Sequence, residues 1–272
     1  SAASDVYKRQ EKRRIEDIAI ADLDKKFIED YYNWMLGTCA LASSTAFCRV
    51  NTLKWLMYTA QERGWIKLHP FIGFDCLPEY KRRSFLTEED LQRVIHVKLN
   101  YKRQRAIRDM FLFMCFTGLA YADLKEITYK NIHTDSEGGT WLMGNRIKTG
   151  VSYVVKLLPI AIELVERYKG ENKKKSSPDK VFPVGEYQTM VSSLRVLTQK
   201  CGCSTEITPH IGRHTFAVLA ILKGMPLETL QKVLGHKSIL STQIYAELIN
   251  PKVGEDTDKL CMKIGDVYRL TN

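Results

Sequence analysis

The sequence predicts a mainly α-helical protein with one small antiparallel β-sheet, divided into two domains. Three observations predict it. Apolar residues recur at helical spacing over most of the chain, as in Phe27, Tyr31, Trp34 and Met35. Only two short runs, Trp141 to Ile147 and Tyr153 to Leu158, read as strands. A proline break followed by a basic cluster, Pro78-Glu79-Tyr80-Lys81-Arg82-Arg83, reads as a linker. At 272 residues with 44% hydrophobic content, the chain can fill two cores of ordinary size. The boundaries that follow are a helical domain over 12–80 and a second domain over 83–272, with 1–11 read as a fragment edge.

In order, the first helix carries Phe27 to Met35 and stops at Gly37. A second helix starts after Ser43 or Ser44, either able to cap it, and buries Ala46, Val50, Leu53, Met57 and Ala60. Gly64 ends it, and His69-Pro70 sets an extended exit. Beyond the linker, Thr87-Glu88-Glu89-Asp90 signals a helix start. Ile107, Phe111 and Met114 mark a buried helix ending at Gly118. The two strands meet at a turn holding Lys148, Thr149 and Gly150. A helix covers Ile160 to Tyr168, and residues 170–180, rich in lysine and serine, form a surface loop. The remainder is helical, with breaks at Gly202, Pro209, Gly224-Met225-Pro226 and Gly235.

The formal net charge of +10 favours an anionic partner such as nucleic acid or an anionic surface. No run of about 18 apolar residues suggests a membrane span, and no secretory pattern opens the chain. The seven cysteines are scattered and odd in number, which suggests reduced thiols and a cytosolic setting. Cys201 and Cys203 form a lone C-x-C with no second pair nearby, which argues against zinc there.

Chemistry-bearing residues cluster late. His210-Ile211-Gly212-Arg213-His214 opens an apolar helix, Leu234-Gly235-His236 follows another, and Tyr245 lies nine residues on. His210 and Arg213, three apart on a helix, project from one face near its N-terminus, where an anion is favoured. Gly235 can turn left-handed and direct His236 back to the same place. His210 and His214 are spaced for zinc. The metalloprotease pattern, however, needs a glutamate where Ile211 stands, so no metal is expected.

Taken together, H-x-x-R, L-G-H and a tyrosine nine residues later resemble the tyrosine recombinases, or phage-type integrases. Ser241-Thr242-Gln243-Ile244-Tyr245 resembles the family's approach to its nucleophile. Phe116-Thr117-Gly118-Leu119 resembles the segment before its first catalytic arginine, and Arg146-Ile147-Lys148-Thr149-Gly150 the hairpin of its catalytic lysine. The style is closest to integrases of Bacteroides-type mobile elements. The resemblance implies site-specific cutting and rejoining of double-stranded DNA through a 3′-phosphotyrosyl link at Tyr245, without metal, ATP or other cofactor. Arg213 and His236 would grip the phosphate, His210 would act as base, and Lys148 as general acid. One position departs: Ala120 stands where the family has an arginine, although Asp123 matches the acidic residue that follows. Arg108, three helical turns back, or Arg146, placed on a strand face with Lys148, is expected to supply the missing charge.

Lys81, Arg82 and Arg83 are expected to cross the DNA backbone, and the helix from Ser44 to Arg63 is where base contacts are sought. The resemblance further implies a monomer or weak associate in solution and a tetramer on recombining DNA. The tail from Leu248 to Met262 would then dock on a neighbour, and accessory DNA-bending proteins could assist in a bacterial cytoplasm. Three alternatives stand beside this reading: a weakened accessory relative, a type IB topoisomerase-like activity, and an RNA-binding protein, the last lacking any matching motif.

Overall fold

The computed structural model describes residues 18–77, 83–170 and 179–246. Residues 1–17, the linker from Pro78 to Arg82, residues 171–178 and the tail beyond Ala246 lie outside the described residues. The chain separates into two compact units, Ser1–Lys81 and Arg82–Asn272.

In the first unit, α1 (Lys25–Gly37) begins at Asp24, whose carboxylate accepts from the Phe27 N–H at 2.7 Å. Helix α2 (Ser43–Glu62) is entered from Ala42, which offers no side-chain cap, so Ser43 is the first helical residue rather than the expected cap. Ile28, Tyr31 and Met35 of α1 pack on Ala46, Val50, Met57 and Ala60 of α2, closed by Ile66, Phe71 and Phe74. Helix α2 also leaves Trp55, Leu56 and Tyr58 exposed. It is therefore apolar on more than its core face.

The second unit is built around α4 (Lys102–Thr117), which packs against α6 (Pro159–Tyr168), α7 (Tyr187–Cys201) and α8 (Pro209–Leu222). From Met110 to Cys115 every side chain of α4 is buried. The expected single face was too narrow, because helices surround α4. Helix α3 (Glu88–His96) is capped by Thr87, whose hydroxyl accepts from the Asp90 N–H at 3.2 Å. Helix α5 (Tyr121–Glu126) follows Gly118, whose φ of 72° ends α4 in the left-handed conformation.

The sheet has three antiparallel strands in the order β1 (Ile132–Thr134), β2 (Thr140–Asn145) and β3 (Ser152–Lys156). Strand β1 is not expected from the sequence, because it is only three residues long and partly exposed. The sequence pattern also runs past the end of β2. Pairing ends at Asn145↔Ser152, and Arg146 sits at the base of the turn, with its N–H donating to Val151 O at 2.8 Å. Arg146 and Lys148 therefore do not share a strand face; the turn places both. Helices α9 (Leu227–Leu234) and α10 (Leu240–Ala246) complete the unit. The six cysteines among the described residues are free thiols. No described helix is long and apolar enough to cross a membrane.

Candidate active site

Four chain segments converge on the C-terminal end of α4. The Thr208 hydroxyl caps α8, and Pro209 opens it with a preset φ. One turn in, Arg213 points into the unit and is only 6% exposed. Its guanidinium donates to Gly118 O at 2.5 Å and to Leu234 O at 2.7 Å, so the fork is fixed by the ends of α4 and α9. Both carbonyls are helix-end acceptors with no partner in their own helix, and the helices end there because Gly118 and Gly235 adopt a positive φ. Burial and the nearby Arg146 lower the Arg213 pKa to about 10, so it stays charged at neutral pH.

Gly235, with φ 60°, turns the chain out of α9 and presents His236. The His236 Nδ1 lies 2.8 Å from the hydroxyl of Thr242, which is fully buried. Thr242 thus holds the imidazole plane, a role its place in the approach to Tyr245 did not disclose. Burial, followed by Arg213 and Arg146, lowers the His236 pKa to about 4. At neutral pH the ring is uncharged, and its free nitrogen can donate to an anion.

Tyr245 is 1% exposed. Its hydroxyl is 2.9 Å from His214 Nδ1, its ring lies 6.4 Å from that of His236, and the Arg83 guanidinium sits 5.8 Å from its centroid. It is also close enough to Arg213 to bond with the guanidinium. His210, the expected base, is exposed and its ring lies 6.3 Å from that of His214. Among the described residues its side chain makes no hydrogen bond. His214 is the histidine on the phenol, although its spacing from His210 suggests only a zinc ligand. The i,i+4 spacing that suggested a metal instead aligns two rings along one helix face.

Arg146 lies in this cluster and Arg108 does not. Arg146 donates to Leu234 O at 3.1 Å, the oxygen that Arg213 also uses, and its Nε is 2.9 Å from Asp123 Oδ2. Asp123, 2% exposed, also accepts from the Ile147 N–H at 2.9 Å, pinning the turn. Arg108 is instead held by Asp109 at 2.9 Å and by Val97 O. Ten residues of helix, about 15 Å, separate it from Gly118. The expectation that Arg108 could replace the missing arginine is thus corrected by its place in the fold. Lys148 is exposed on the turn, near enough that it and Arg146 both help to lower the His210 pKa, after the partial desolvation of its ring and the charges of Arg213 and Arg83.

Residues 84–250 match the model of the phage integrase family, and residues 5–77 match the phage integrase SAM-like domain. The chain belongs to the phage integrase family. A tyrosine recombinase XerA from Saccharolobus solfataricus is 32% identical over 176 residues, which cover 64% of this chain and 56% of the relative. A tyrosine recombinase from Pseudothermotoga lettingae is 23% identical over 256 residues, covering 90% and 85%. The chain therefore spans little more than half of the first relative and most of the second. Among solved structures, XerH recombinase bound to its difH substrate superposes with a TM-score of 0.72 at 18% identity, covering 94% of this chain and 76% of that one. The Tn1549 transposon integrase with transposon right-end DNA gives 0.70 at 18%, covering 96% and 92%. These two show a shared fold. Neither the accessory nor the topoisomerase alternative gains support from these relatives, and the likeness to Bacteroides-type elements is not reached by them.

Proposed function

We propose that this phage integrase family member is a site-specific recombinase that joins Tyr245 to a DNA 3′-phosphate and then passes the strand to a new 5′-hydroxyl. The observation that carries the reading is the gathering of Tyr245, Arg213, His236 and Arg146 around the two helix-end carbonyls of Gly118 and Leu234. A phosphodiester transition state carries two negative charges on its non-bridging oxygens, and donors fixed before the reaction stabilise it without reorganising. Arg213 has donors to spare beyond the two backbone bonds that fix it, and a planar fork suits phosphate. His236, held by Thr242, supplies a further donor. His210 adds polarity at the exposed edge, and Lys148, on the turn, protonates the leaving 5′-oxygen.

Arg146 supplies the cation that Ala120 lacks. It enters from the β2–β3 turn and is held by Asp123, the acidic partner expected to follow the absent arginine. The phosphotyrosyl link keeps the bond energy, so no ATP is needed.

The first unit serves as the core DNA-binding domain, with the outer side of α2 and the basic linker Lys81-Arg82-Arg83 on the duplex. Exchange of strands between two duplexes implies four protomers on the DNA, drawn from a monomeric or weakly associating pool in a bacterial cytoplasm, with accessory DNA-bending proteins as helpers. An apolar groove lined by Ile95, Phe116, Leu157, Leu219 and Val233 would receive apolar side chains from the Leu248 to Met262 tail of a neighbour.

The test is a trapping assay on a nicked duplex carrying the end of the encoding element. Wild type should yield an SDS-resistant protein–DNA adduct, and Tyr245→Phe should bind the duplex and yield none. An adduct that survives Tyr245→Phe would refute the nucleophile.

A further inference from the structure

We infer that His214 is the group that receives the phenolic proton of Tyr245 as the tyrosine attacks the phosphate, an inference that rests on Tyr245 being the nucleophile. Three observations lead there. Nδ1 of His214 is the hydrogen-bond partner of the Tyr245 hydroxyl at 2.9 Å, within reach for direct proton transfer. With His214 in the tautomer that carries its proton on Nε2, Nδ1 accepts from the phenolic O–H, and the remaining lone pairs of the phenolic oxygen are left for phosphorus. His214 also follows Arg213 directly in α8, so a single helical turn carries both the phosphate fork and the proton acceptor.

The groups facing His214 come from every element around it. Arg83 approaches from the segment before α3, His210 and Arg213 lie on α8, His236 follows α9, and Tyr245 is on α10. All are cationic or can donate a proton. Burial first, then Arg83, His210 and Arg213, bring the His214 pKa down to about 4. The resting imidazole is therefore unprotonated, as an acceptor must be. A DNA phosphate entering this ring of positive charge brings the opposite sign, so proton affinity at His214 rises when the substrate binds. Base strength is thereby coupled to the presence of the phosphate.

In the forward step the Tyr245 oxygen bonds to phosphorus and the bond from phosphorus to the 5′-oxygen breaks. The phenolic proton passes to His214 Nδ1, and the 5′-oxygen takes its proton from Lys148. In the strand-joining step the attacking 5′-hydroxyl returns a proton to Lys148, and His214 gives its own back to the departing tyrosine oxygen.

The experiment uses the full chain, the nicked duplex and the His214→Asn variant, whose amide oxygen takes roughly the place of Nδ1 but is not a base. Adduct formation is timed in a single turnover between pH 6 and 9 and normalised to DNA-bound protein, so a poorly folding fraction does not count. The expected result is an adduct rate about 100-fold lower at pH 7 that climbs about tenfold per pH unit as hydroxide takes over. His214→Ala should behave alike. A His214→Asn rate within a few-fold of wild type overturns the inference, as does a uniform loss that leaves the shape of the pH profile unchanged. Tyr245→Phe separates the two claims. If it still forms the adduct, the nucleophile is wrong and the role of His214 goes with it. If it forms none while His214→Asn is unimpaired, only the role of His214 is refuted.

Discussion

Replacing Arg146 by alanine tests how the site manages without an arginine at position 120. The guanidinium is deleted from between two fixed points, Leu234 O at 3.1 Å and the Asp123 carboxylate at 2.9 Å. The contact with Asp123 is close, but the Nε–H is not aimed at the oxygen, so it acts chiefly through charge. After the deletion the Asp123 side chain, 1% exposed, keeps the Ile147 N–H as its hydrogen bond. Removing one member of a buried ion pair costs about 3–5 kcal/mol, and the surviving backbone bond places this case near about 3 kcal/mol. The loss of one preorganised cation lowers the rate about 10²–10³-fold, or about 3–4 kcal/mol of transition-state stabilisation. Stability is read by denaturant unfolding and chemistry by single-turnover adduct formation at saturating protein. Adding Ala120→Arg to Arg146→Ala should restore most of the rate and little of the stability, because the new guanidinium starts from the N-cap of α5 rather than the turn. If Arg146→Ala cleaves at the wild-type rate while Ala120→Arg alone raises activity a hundredfold, the substitution argument is wrong.

Arg108→Ala should leave adduct formation within a few-fold of wild type yet lower unfolding stability, because Arg108 bonds Asp109, which Arg167 and Tyr168 also hold; a collapse of the single-turnover rate at intact DNA binding would contradict this. His214 and His236 both have pKa values lowered from 6.5 to about 4, chiefly by burial. The unfolded chain therefore binds more protons between these limits, and thermal stability should fall as pH drops from about 6.5 to 4. A melting temperature that rises over that window would show the opposite sign. Gly235→Ala should misplace Arg146, since an added Cβ would sit 2.8 Å from its Cγ in a backbone with φ +60°, and adduct formation should fall at least tenfold at intact DNA binding. Thr242→Val, nearly isosteric, should free the His236 ring and slow cleavage about tenfold while leaving duplex affinity unchanged, checked by single-turnover kinetics and a binding titration.

Much of the fold was legible because its signals are local. Thr87 and Thr208 cap their helices through their own side chains, and Gly118, Gly202 and Gly235 each close a helix with a positive φ that few other residues adopt. Ser43 misled because a serine can cap or simply begin a helix, and the backbone at Ala42 decided. Strand β1 escaped because three half-exposed residues carry too little pattern to stand out, and only pairing with β2 makes them a strand.

The sequence by itself determined the helical architecture and which residue types gather late in the chain, since H-x-x-R, L-G-H and Tyr245 are fixed by spacing along helices. Tertiary structure decided the pairings. It put Arg213 and Arg146 on one carbonyl oxygen, Arg108 out of range, and His214 rather than His210 against the Tyr245 hydroxyl. Helical periodicity says which residues share a face but not which of two histidines a phenol on another helix will meet. That choice depends on how α8 and α10 pack, and packing is set by side chains from the whole unit.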